Sequence, residues 1–524
     1  MCNQTRQWLM ASLIGLLFGC GGGGSDLGVS PSPGNADTSE GESVPVPDLP
    51  AVSETDLALN ALIDALALRQ SPLAGRTLPD ITDPLAQLGK KLFYSKSLSG
   101  EFDVACASCH HPMLGGGDGL SLPVGINALQ SDVLGVGRRD ADGVPNVPRN
   151  SPTTFNVGLW DQGLFWDSRV ESLGKEALQN GAASPISTPE SGTGIADPNA
   201  GHNLVMAQAR FPVTSVDEMK GMHFEANSNN TQIRDHLAAR IGDIGLGAGE
   251  LALNQWLFEF QQAFNSGDDA ETLITFDNIA LALGEFQRSM VFVENPWQSY
   301  LSGDVAALNE SAKRGAILFF TAASEGGAGC AACHRGPLFS DEQHHTIAFP
   351  QIGVGKTEAD QDDTGRELVS GDADDRYRFR TPSLLNIAVT APYGHAGAYD
   401  SLDEVLAHYN NPRDSVQDYF DRQAWCDLPQ FENVANCSLL FPNGATNTEA
   451  ALSKLQQERR ENIALFENIN INPQERRQLA DFLDALTDPC VTSRACLAPW
   501  IAEQASDSPD GQRLIATDIS GAAL

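Results

Sequence analysis

Apolar positions recur at three- and four-residue steps in stretches that include 84–96, 248–266, 276–291, 308–322, 401–410 and 473–486. Each reads as a helix with one buried face. In 401–410 the face is Leu402, Val405, Leu406 and Tyr409, and Ser401 followed by Glu404 marks its start as a capping box. Long loops join the helices. At the N-terminus an apolar run, LMASLIGLLFG, follows Arg6 and ends at Cys20. It is too short to span a membrane in the usual way and has the layout of a secretory signal. Gly21 to Gly24 and the Ser/Pro/Asp/Glu-rich stretch to about Ser53 read as a flexible tether.

With 524 residues, 41% hydrophobic and 19% charged, the chain has room for two or three cores. A net charge of −35 argues against nucleic acid and anionic membrane as partners, and it allows a basic redox donor to be steered in. The tetrad Leu17-Phe18-Gly19-Cys20 resembles a bacterial lipobox. It implies a lipid anchor at the periplasm or cell surface, at the outer membrane because glycine follows the cysteine. Export makes disulfides possible. Of ten cysteines, Cys2 and Cys20 belong to the signal, and four form two C-x-x-C pairs. The close spacings of the rest suggest local disulfides, 426–437 and 490–496, although spacing alone leaves other pairings open.

"CASCH" (106–110) and "CAACH" (330–334) are both C-x-x-C-H. Two thiols bond a haem covalently and the next histidine, His110 or His334, ligates its iron. A thioredoxin-like pair would not require the histidine, and zinc would require further ligands. The surroundings repeat as well: "LGKKLFYSKSLSGEFDVACASCH" matches "AKRGAILFFTAASEGGAGCAACH", and "PTTFN" (152–156) parallels "PSLLN" (382–386). The fold class expected is therefore all-α, with two cytochrome c-like helical haem domains in tandem. The expected divisions are signal 1–20, tether 21–55, first haem domain 56–300, second haem domain 301–500 and tail 501–524. His111, next to His110, reads as a surface or propionate-side residue.

CASCH, RNSPTTFN, FWDSR, FPVTSVDEM, CAACHRGPLF, DTGR, TPSLLN and TAPYGHAGAY occur in an order that resembles the bacterial di-haem cytochrome c peroxidases and the MauG-type enzymes, over roughly residues 80 to 490. The resemblance implies a first haem where peroxide reacts, a second that relays electrons, and a calcium ion between them. It makes Glu218 the acid–base residue, six positions after Pro212, and Trp166 a stepping stone between the haems. Relatives carry glutamine where this chain has Glu176, a departure that adds a second titrating group. An insertion covering most of 179–210 reads as a loop near the peroxide haem. Calcium ligands implied are Asn150 and the carbonyls of Thr390 and Pro392, oxygen donors suited to a hard cation.

Relatives that need reductive activation cap the first iron with a loop histidine, but no histidine lies between Met113 and Asn150. The resemblance also puts the second haem's sixth ligand fourteen residues after His395, which is Tyr409. MauG-type members have tyrosine there, and no methionine follows Met290. Tyrosinate stabilises ferric iron, whereas methionine raises the potential. Three functions follow. The first is an exported peroxidase reducing hydrogen peroxide with electrons from a small cytochrome or cupredoxin. The second is a MauG-type oxidase using a high-valent di-haem state on a protein or organic substrate. The third is a non-catalytic di-haem electron carrier.

Overall fold

A computed structural model describes residues 52–357 and 360–524. The secretory signal, the lipobox and nearly all of the tether lie outside the described residues. The rest is mainly helical, with two small antiparallel sheets. Counting helices of nine residues or more, the elements are α1 (Glu54–Ala65), α2 (Pro84–Tyr94), α3 (Asn230–Gly242), α4 (Trp256–Phe264), α5 (Phe276–Arg288), α6 (Glu310–Phe320), α7 (Leu402–Asn410), α8 (Pro412–Asp421), α9 (Gly444–Arg460) and α10 (Pro473–Asp484). None of the described helices is long and apolar enough to cross a membrane.

The repeat seen in the sequence is a repeat of helix crossings. In the first core α2 lies across α5, and Gly89 faces the Ala282 carbonyl so closely that a Cβ would stand 1.9 Å from its oxygen. In the second core α6 lies across α10, and a Cβ on Gly315 would stand 1.9 Å from the Gln478 oxygen. Glycine is required at both places because backbone, not a movable side chain, fills the space. Asn156 and Asn386 repeat in the same way. Both are left-handed, with φ of 60° and 64°, and both donate from Nδ2 to the Phe292 carbonyl. Asparagine tolerates that conformation better than most residues.

Each end of the described chain is built into the core formed by the opposite half. Helix α1, with Ser53 and Asp56 forming a capping box, buries Leu59 and Ile63 beside α6. The C-terminal tail buries Leu514 in the first core. Asp510 Oδ2 accepts hydrogen bonds there from Ser95, Ser97 and Trp256. The residues of each half therefore do not map one-to-one onto the divisions 56–300 and 301–500.

Of the expected helices, 248–266 is shortened to α4 because Asn254 turns back to α3, its Nδ2 donating to the Ile241 carbonyl and its Oδ1 accepting from Trp256 N. Two further helices carry weak apolar patterns. In α3 the buried face includes Arg234, paired with Glu190, and Arg240, which donates to the Ser97 and Ser99 carbonyls. In α9 Ala451, Leu452 and Leu455 are the apolar part of a largely polar helix. The insertion at 179–210 is not plain loop: it supplies β3 (Ile186–Ser187) to a sheet with β1 (Gly163–Leu164) and β2 (Val170–Ser172). It also contains the short helix Leu204–Gln208. The second sheet pairs β4 (His344–Thr346) with β5 (Arg378–Arg380). Cys426 is bonded to Cys437, and Cys490 to Cys496.

Candidate functional site

Each C-x-x-C-H motif sits on a short 3-10 turn, Cys106–Ser108 or Cys330–Ala332, next to the glycine-crossed helix pair of its core. None of the four motif cysteines is in a disulfide. His110 Nδ1 lies 3.2 Å from the Gly116 carbonyl oxygen, and His334 Nδ1 lies 2.9 Å from that of Phe339. A carbonyl can only accept, so each ring carries its proton on Nδ1 and presents Nε2 as a lone pair, the arrangement of an iron-ligating histidine. Burial lowers the pKa of both and keeps them neutral. His111 is fully buried rather than on the surface; its Nδ1 accepts from Met113 N and caps a turn.

Around the second motif lies a cavity of about 590 Å³. Cys330, Cys333, His334 and Tyr409 line it, with an apolar wall that includes Leu406, Phe466, Leu479 and Leu483. Its size and lining fit a flat apolar cofactor. Ser401 caps α7 as expected, but the Glu404 carboxylate turns to the Ser401 hydroxyl at 3.1 Å instead of its backbone amide. Tyr409 is half-buried. Its ring meets Phe349 and Phe466 edge-on, and burial beside Cys330 and Cys333 raises its phenol pKa strongly.

Glu218 lies on the short π-helical turn Val216–Lys220, after the 3-10 turn that Pro212 opens. Gly125 lets the loop after the first motif close onto this turn, since a Cβ there would meet the Asp217 oxygen at 2.1 Å. Glu218 is half-buried. Burial raises its pKa and Asp217 adds to the rise, while Arg169 and Lys356 oppose it. Its charge reaches Cys109 and helps raise that thiol's pKa. Asp118 and Arg138, which the sequence reading did not single out, act on the same thiol. Asp118 is 1% exposed, burial lifts its pKa to about 7, and its Oδ2 has no partner among the described residues. No motif marks such a residue before the loop is folded.

Glu176 corrects an expectation. It is exposed beyond β2, in solvent, and does not join Glu218 as a second buried carboxyl. Trp166 lines the large cavity, its Nε1 donating to the Asn150 carbonyl at 2.9 Å. Asn150, Thr390 and Pro392 line the same cavity. Asn150 Nδ2 donates to the Leu120 carbonyl, while its Oδ1 and the Thr390 and Pro392 carbonyls accept nothing from the described residues. Behind them a buried Arg149 pairs with Asp167 at 2.6 Å and Asp363 at 2.7 Å.

Comparison with known proteins agrees with this geometry. The sequence profile of the family described as di-haem cytochrome c peroxidase matches residues 83–306. Methylamine utilization protein MauG of Methylorubrum extorquens is 31% identical over 332 residues, 63% of this chain and 69% of that protein. Cytochrome c551 peroxidase of Pseudomonas aeruginosa is 28% identical over 334 residues, 63% of this chain and 73% of that protein. In fold, a MauG-like protein associated with microbial copper homeostasis covers 80% of this chain and 95% of its own, with a TM-score of 0.50 at 21% identity. With two haem-attachment motifs in two related helical cores, the chain belongs to the di-haem cytochrome c peroxidase family, a family of oxidoreductases that includes MauG.

Proposed function

We propose that the protein is an exported peroxidase that reduces hydrogen peroxide to water at the haem of His110, with electrons arriving through the haem of His334. The observation that carries this reading is Glu218, a half-buried carboxyl with a raised pKa whose charge is felt at Cys109. Haem iron would supply the electron-accepting and electron-donating centre; the protons are the chain's task. Glu218 takes a proton from one peroxide oxygen and returns it to the other, so that the bond between them breaks with water leaving. Two electrons and two further protons complete the second water. Arg169 and Lys356 oppose the burial that raises the Glu218 pKa.

The two cores would act as cytochrome c-like domains in tandem, with Trp166 between them as an electron relay. Asn150, Thr390 and Pro392 offer three unmet oxygens and would hold calcium. The acidic surface favours a small basic electron donor, a cytochrome or cupredoxin. The signal and lipobox support a lipid-anchored protein at the outer membrane, facing the periplasm or cell surface.

Tyr409 favours a second reading, a MauG-type oxidase acting on a protein or organic substrate. Tyrosinate ligation would lower the second haem's potential and retain oxidising equivalents. The discriminating experiment mixes the holoprotein with hydrogen peroxide, with and without a reduced small c-type cytochrome. Rapid donor oxidation at two equivalents per peroxide supports the peroxidase. An oxidised state that persists while the donor is ignored supports the oxidase, and no spectral response to peroxide leaves an electron carrier.

A further inference from the structure

Arg380 is a buried cation with little to hold. It is 7% exposed, on β5, and its backbone N donates to the Trp166 carbonyl. Its Nε donates to the Phe165 carbonyl at 3.0 Å. Its guanidinium lies 3.7 Å from the centre of the Trp160 ring. It makes no ion pair among the described residues, and one of its terminal nitrogens is buried without a partner. Glu342 and Asp167 act on it only at a distance, and burial pulls its pKa down to about 10. Removing a guanidinium from water without a counter-charge is costly, so such a group is kept where an anion completes it.

Arg380 lines the cavity of Cys330, Cys333, His334 and Tyr409. His395, which also lines this cavity, is 6% exposed and leaves Nε2 without a partner among the described residues, its ring stacked 3.9 Å from Phe379. Besides the oxygens of Asn150, Thr390 and Pro392, Arg380 and His395 are the described lining side chains that carry a buried nitrogen without a partner. A haem attached through Cys330 and Cys333 brings two carboxylates into this space, and a planar fork of N–H donors matches a carboxylate.

We propose that Arg380 is the anchor for a propionate carboxylate of the haem held by CAACH, with His395 as its neighbouring donor. Arg380 thereby sets the orientation and potential of that haem, and it does so from a position stacked on Trp160 and bonded to the backbone of Trp166. It is a positioning residue. The inference rests on a haem being bound at His334, which haem content measures separately.

The test uses holoprotein shown to contain two covalent haems. Arg380→Gln should retain both haems and lower the midpoint potential of one of them, because loss of a nearby positive charge favours the ferric state. The haem that shifts should be the one whose spectrum responds to Tyr409→Phe. Arg380→Lys keeps the charge but loses the fork; it should retain most of the potential yet shift the propionate bending band in the resonance Raman spectrum. Unmoved potentials in Arg380→Gln, or an unmoved propionate band in both variants, would overturn the proposal. A free carboxylate is the rival occupant. If acetate perturbs a haem spectrum of the native protein, and Arg380→Gln abolishes that response, the guanidinium faces an exchangeable anion and the propionate assignment fails. A protein with one haem would instead refute haem binding itself.

Discussion

Replacing Gly315 with alanine probes the helix crossing that frames the second haem site. The new Cβ would stand 1.9 Å from the Gln478 carbonyl oxygen and 2.9 Å from Phe482 Cβ. Non-bonded heavy atoms need roughly 3.5 Å, so α6 and α10 must separate by roughly 1.5 Å. Overpacking of this kind costs about 1–3 kcal/mol. Alanine's better helix propensity offsets about 1 kcal/mol of that, leaving a net loss of up to about 2 kcal/mol. The separation also moves Leu479 and Leu483, two residues of α10 on the cavity wall. Gly89→Ala is the matched perturbation in the first core, with its Cβ 1.9 Å from the Ala282 oxygen and 2.7 Å from Phe286 Cβ. Denaturant unfolding followed by circular dichroism, together with haem absorption, reads both variants. Each should unfold at lower denaturant, and each should disturb the spectrum of a different haem. Native-like midpoints in both, or a disturbance of the same haem by both, would refute the paired-crossing argument.

Glu218→Gln should slow peroxide consumption by about 10²- to 10⁴-fold while both haems remain; native rates in stopped-flow mixing would remove Glu218 from the chemistry. Because burial raises the Glu218 pKa and only the carboxylate accepts a proton, the native rate should fall as pH drops through a value above that of free glutamate. Lys356→Met, which removes an opposing charge, should push that acid limb higher. Tyr409→Phe should alter the absorption and potential of one haem only, and a change in neither would make Tyr409 a packing residue. Arg149 holds Asp167 and Asp363 below the usual carboxylate range. Their contribution to stability is therefore complete above the unfolded pKa and is lost as pH falls through the lowered folded values, below about pH 4. Arg149→Met should cost about 3–5 kcal/mol by leaving buried Asp363 without a cation among the described residues and Asp167 with Arg169 alone, at 3.5 Å, and acid unfolding followed by circular dichroism should move to higher pH.

The parts of this molecule readable in the sequence are those whose chemistry is local. C-x-x-C-H carries its meaning in five residues, and the glycine and asparagine repeats mark contacts that recur in both cores. Helices with apolar stripes, such as α5 and α10, were readable for the same reason. Those stabilised by buried arginines, such as α3, were not, because a paired Arg234 looks like a solvated one until Glu190 is brought to it. Glu176 shows the opposite error, since position along the chain suggested a pocket and the turn after β2 put the side chain in water. Arg380 and Asp118 lay beyond reach altogether. What singles them out is an unmade hydrogen bond in a buried place, and burial belongs to the folded chain.

The two irons are expected to differ, one open beside Glu218 and one closed by Tyr409. An electron paramagnetic resonance spectrum of the ferric holoprotein, recorded before and after adding azide, tests that difference most directly. The expected result is two distinct ferric signals, of which azide converts one and leaves the other unchanged. Conversion of both signals, or of neither, would contradict it.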